Sequence, residues 1–125
     1  MGAVVQMEIF PGVTSVDKLE TRSLLKEYPT MQRKISVYSS KTSLTFLEAE
    51  ELAKYQRRVR EIDTAMELIL DDEVRRIIRH RYISARKHKY TLATFGDSTS
   101  AATINRRIDI GVETIAEHLK LAEII

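Results

Sequence analysis

Residues 98–107 read Ser-Thr-Ser-Ala-Ala-Thr-Ile-Asn-Arg-Arg, a run of small and hydroxylated side chains that ends in two guanidinium groups. Ser98, Thr99, Ser100 and Thr103 carry hydroxyls that can bond phosphate oxygens or base edges. Asn105 has the amide geometry that pairs with adenine, and Arg106 and Arg107 can reach guanine or phosphate. Ala101 and Ala102 let a backbone come close to a groove. Just upstream, Arg86, Lys87 and Lys89 place three further cations in a connector. The chemistry this set can do is recognition of double-stranded DNA.

The charge distribution agrees with that chemistry. The chain of 125 residues has a formal net charge of only +2. From Val74 to Ile108, however, nine Arg and Lys stand against one acid, Asp97. A segment so basic suits phosphate binding, because each neutralised phosphate releases counterions. Enzyme chemistry finds little support. There is no cysteine, and His80, His88 and His118 fall in no metal-binding spacing. His80 is expected on the basic face. Asp71 and Asp72 read as a helix start and not as Mg²⁺ ligands. Gly96 is solitary, so there is no phosphate-cradling loop, and Ser98 and Ser100 have no partnered His that the sequence identifies. No catalytic residue, metal or cofactor is expected.

Positioning such a set requires helices. Four Gly and two Pro leave few turns for a β-rich fold, and helix formers dominate from residue 16 onward, so the chain is expected to be all-α. Residues 1–15 read as a flexible tail, residues 16–69 as a helical region and residues 70–125 as the DNA-binding region. Thr14 and Asp17 form a capping-box pattern for a helix that Pro29 should stop, and Met31, Ile35 and Tyr38 suggest a second short helix. Thr45 and Glu48 open the longest helix. Its apolar positions Leu52, Tyr55, Val59, Ile62, Met66 and Ile69 alternate at spacings of three and four, a heptad seam. That seam can pack within the chain or make a homodimer through residues 52–69. A helix burying Val74, Ile77, Ile78, Tyr82 and Ile83 follows, then "SARKHK" and the short helix "YTLATF". Gly96 is expected to end that helix with a positive φ, and Ser98 or Thr99 to cap a last helix reaching Ala122. No apolar run is long enough to span a membrane, and "MGAVVQMEIF" has no basic leader, which fits a cytoplasmic protein.

The segment "DDEVRRIIRHRYI…KYTLATFGDSTSAATINRRIDIGVETIA" resembles region 4 of bacterial sigma factors. The matching positions are Arg81-Tyr82, Gly96, Ser100, Thr103-Ile104 and Arg106-Arg107-Ile108. The match covers residues 70–122, and its turn after Gly96 is longer than region 4 usually has. Together with "LLKEYP", the chain is similar to phage-encoded late-gene regulators of the ArpU/RinA type. The resemblance implies a helix-turn-helix regulator that activates phage or prophage packaging and lysis genes in a sigma-like manner, with RNA polymerase as a partner. Two rival expectations are a small terminase subunit that binds packaging-site DNA and forms rings, and a polymerase-binding protein that makes no DNA contact.

Overall fold

The computed structural model describes residues 12–97 and 99–125, and among these every regular element is a helix. Helix α1 spans Ser15–Ser39, α2 Phe46–Glu67, α3 Asp72–Ile78, α4 His88–Phe95 and α5 Ala101–Leu121, and a π-helical turn, Arg79–Ile83, prolongs α3. None is long and apolar enough to cross a membrane.

Both capping boxes form. Asp17 N–H donates to Thr14 Oγ1 at 3.1 Å and Thr14 N–H to an Asp17 carboxylate oxygen at 2.9 Å. Glu48 and Thr45 exchange the same pair of bonds at 3.1 and 3.0 Å, satisfying amides that a helix start leaves open. Thr14 and Ser15, expected in a tail, belong to the beginning of α1; residues 1–11 lie outside the described residues.

The stop expected at Pro29 does not occur, and the two helices expected on either side of it are one. Proline removes the bond to the Leu25 carbonyl and costs about 3 kcal/mol in a helix interior. Thr21, Leu25, Tyr28 and Met31 are buried on one stripe that runs straight past it. Burial of large side chains such as Leu25 and Met31 contributes roughly 1.5–3 kcal/mol each, so packing outweighs the break. Tyr28 donates its hydroxyl to Asp63 Oδ1 at 2.6 Å, tying α1 to α2, and burial followed by this bond raises the phenol's pKa.

The heptad seam of α2 is used inside the chain. Ile62, Met66 and Ile69 are buried in the common core, and Tyr55 and Val59 pack against its edge. A homodimer through residues 52–69 would need faces already covered by α1 and α5, so the lower half of that seam is unavailable to a second chain.

At the start of α3, Asp71 accepts from the N–H groups of Glu73 and Val74 at 2.8 and 3.1 Å, as the run of carboxylates predicts. The helix then widens: Ser84 N–H reaches back five residues to the Arg79 carbonyl at 2.8 Å. Tyr82 remains buried through this turn.

Helix α5 is the central element, contacting all the others. Ile104, Ile108, Val112, Ile115 and Leu119 are buried along one face, as their spacing predicts. Gly111 lies on the same face, where a Cβ would stand 2.5 Å from Ile78 Cγ1. The missing side chain is what lets α3 lie so close to α5. On the flank toward α1, Asp109 takes Arg22 at 2.9 Å and Lys18 at 3.3 Å, and Lys120 reaches Asp17 at 2.8 Å. Residues 16–69 and 70–125 thus share one hydrophobic core.

Candidate nucleic-acid interface

Helix α4 packs against both the π turn and α5. His80 is its inner clasp. Its Nδ1 lies 2.9 Å from Thr91 Oγ1, and its ring meets Phe95 edge-on at 5.5 Å. The sequence placed His80 on the basic face; it is half-buried between elements instead, because the π turn carries it toward α4. Nothing in its spacing to Thr91 announces this contact, since the two residues are joined by an irregular connector.

That connector, Ser84–Lys87, contains the positive φ that was assigned to Gly96: Ala85 has φ 53°, whereas Gly96 has φ −86°. Glycine is needed at 96 for a different reason. A Cβ there would collide with the backbone carbonyl oxygen of Leu92, so close approach and not handedness selects it. The cap of α5 is also displaced. Ser100 is the N-cap, in place of Ser98 or Thr99; its Oγ accepts from Thr103 N–H at 3.2 Å and donates to Thr103 Oγ1 at 2.9 Å. Only position 100 stands the required three residues before a free amide at the first turn of a helix starting at Ala101. Ser98 lies outside the described residues, and Thr99 is half-buried.

The remaining site residues divide into two groups. Ala101, Ala102, Asn105 and Arg106 are exposed on α5, and Thr103 is half-buried with its hydroxyl proton free to donate outward. Arg86, Lys87 and Lys89 are exposed, and Lys89 lies over the Tyr90 ring at 5.1 Å. Arg107 differs, being half-buried, with Nη1 4.0 Å from Glu73.

The basic segment is less positive in space than in sequence. Arg75 pairs with Asp72, Arg76 with Glu73, and Arg79 with Glu67 at 3.2 Å. Arg81 stacks on Tyr82 at 4.9 Å and donates to the Arg86 carbonyl. Three of these carboxylates sit at the ends of α2 and α3, just outside the stretch whose charge looked unbalanced. Among the described residues of 74–108, the cations without a carboxylate partner are therefore Arg81, which Tyr82 and the Arg86 carbonyl hold, and the exposed Arg86, Lys87, Lys89 and Arg106. Glu73, which pairs with the exposed Arg76 and lies 4.0 Å from Arg107, reads in the sequence as one of three carboxylates at a helix start and not as a partner of these arginines; its place three residues before Arg76 was the available signal.

No three His, Asp or Glu side chains among the described residues group closely enough to hold a metal ion. His118 instead meets Glu61 at 3.1 Å, joining α5 to α2. The chain matches no family model, no curated protein and no solved structure.

Proposed function

We propose that the chain is a sequence-specific DNA-binding transcription regulator, sigma-region-4-like in its reading head and acting on phage late genes together with RNA polymerase. One observation carries this reading. Helix α5 buries Ile104 and Ile108 in the core while its first two turns hold Ala101, Ala102, Asn105 and Arg106 in solvent. The helix is thus fixed from behind and small and polar in front, the condition for a recognition helix entering a major groove.

The parts act in sequence. Arg86, Lys87 and Lys89 draw the protein to the phosphate backbone and hold its register. The alanines permit close approach, and the Thr103 hydroxyl donates to a phosphate or a base edge. Arg106 and Asn105 then supply discrimination, about 1–3 kcal/mol for each well-made bidentate contact.

Selection of bound sequences from a random duplex pool tests this. A recurrent site should emerge, with affinity that falls with salt as expected for roughly three to five phosphate contacts. Recovery of no enriched sequence, together with no salt-dependent binding, would refute it.

A further inference from the structure

Between Gln32 and Glu61 no side chain is buried, although helices occupy most of that stretch. The far end of the α1–α2 hairpin therefore stands clear of the common core. It is held by half-buried Ile35, Tyr55 and Val59 and by a bond from Lys34 Nζ to Tyr55 Oη at 3.2 Å. Apolar groups remain uncovered there: Phe46 is 76% and Leu47 71% exposed. Phe46, Ala49 and Ala53 follow one another at helical spacing along the side of α2 turned away from α1, and all three are exposed.

Charge reverses along that line. Glu50 stands at its beginning, and Arg57 and Arg60 at its end. A parallel pairing of two such helices would set Glu50 against Glu50 and Arg57 against Arg57. An antiparallel pairing centred on Ala53 sets Glu50 beside the partner's Arg57 and Phe46 beneath the partner's Arg60, where a guanidinium can cover the aromatic ring. The two alanines leave room for the backbones to approach, because interhelical distance follows side-chain size.

We propose that this outer face of α2 docks on the same face of a second copy of the chain, forming a two-fold antiparallel dimer through the hairpin tips. The face is distinct from the seam facing α1; its Arg57 end meets the chain at Ala122, the C-terminal end of α5, and it includes none of Ala101, Ala102, Asn105 or Arg106, so the dimer does not rest on the DNA reading. Were that reading to hold, a two-fold would present two reading heads to paired half-sites. A single helix–helix contact is smaller than a standard interface, so the dimer should be weak, with a dissociation constant of about micromolar or higher.

Sedimentation velocity on the full chain without DNA, from about 5 to 500 µM, reads the prediction. The mass should rise from 14.4 kDa toward twice that value. Glu50→Arg and Arg57→Glu should each stay monomeric, since each variant repels itself, and an equimolar mixture should dimerise again because their charges complement one another. Arg57 also donates to the Ala122 carbonyl at 2.8 Å. Ala53→Glu, which sets two carboxylates together at the two-fold and leaves that bond intact, should likewise remain monomeric with unchanged helix content. A wild-type chain that stays monomeric throughout, variants that dimerise as well as wild type, or a mixture that fails to recover the dimer would each overturn the proposal.

Discussion

Glu73 takes Arg107 by one carboxylate oxygen, 4.0 Å from Nη1, while its other oxygen holds Arg76. The Arg106-Arg107 pair is thereby split: one arginine is directed toward α3, and the other is left in solvent. Arg106→Ala should lower affinity for the selected duplex by about 1–3 kcal/mol and relax preference at one base pair. Arg107→Ala should cost less, because its charge is already partly compensated. Fluorescence anisotropy titrations of both variants measure the difference, and equal losses would show that Glu73 releases Arg107 on binding.

Gly111 and Ile78 predict a second effect. Adding a methyl at Gly111 favours the helix by up to about 1 kcal/mol but forces atoms together in a core that has no slack, which costs roughly 1–3 kcal/mol. Gly111→Ala should therefore lower the denaturation midpoint. In its presence Ile78→Ala should be less damaging than in wild type, a coupling that a double-mutant cycle in urea reads directly.

Pro29 offers a change of the opposite sign. Pro29→Ala restores an amide donor in the middle of α1 and relieves the ring's clash with the preceding turn. Greater freedom of the unfolded chain offsets part of this gain. A net stabilisation of about 1–2 kcal/mol is expected from thermal unfolding; no change would mean that α1 is already bent to accommodate the ring.

These two residues also show what the sequence could and could not reveal. The capping boxes at Thr14 and Thr45, the Asp71 start and the inward spacing of Ile104 to Leu119 were legible because each depends on neighbours within a turn or two. Pro29 was misread because a local breaker was outweighed by Met31 and Tyr28, whose burial depends on partners far along the chain. The π turn at Arg79–Ile83, the clasp of His80 on Thr91 and the inward pull of Glu73 on Arg107 lie across irregular connections, where periodicity carries no information. The exposed group Ala101, Ala102, Asn105 and Arg106 followed once Ile104 and Ile108 fixed the helix rotation. The cap at Ser100 did not, since three consecutive hydroxyl residues are equally suited to it.

Asp17 links stability to acid. Its bond with Lys120, and then the Thr14 amide, hold its carboxyl below the usual range. A depressed folded-state pKa adds stability that is present above the unfolded value, near pH 4, and is lost as pH falls through the folded one. Glu48, lowered by Lys41 and the Thr45 amide, acts in the same direction. Asp17→Asn should lower the melting temperature at pH 7 and flatten its decline below about pH 4.

The central claim is that the first two turns of α5 meet duplex DNA, and amide chemical-shift mapping of the full chain titrated with its selected duplex tests it most directly. The largest shifts should fall on Ala101 to Arg107 and on Arg86 to Lys89, and should vanish at high salt. Shifts confined to Phe46–Arg60, or no shifts with any duplex, would contradict it.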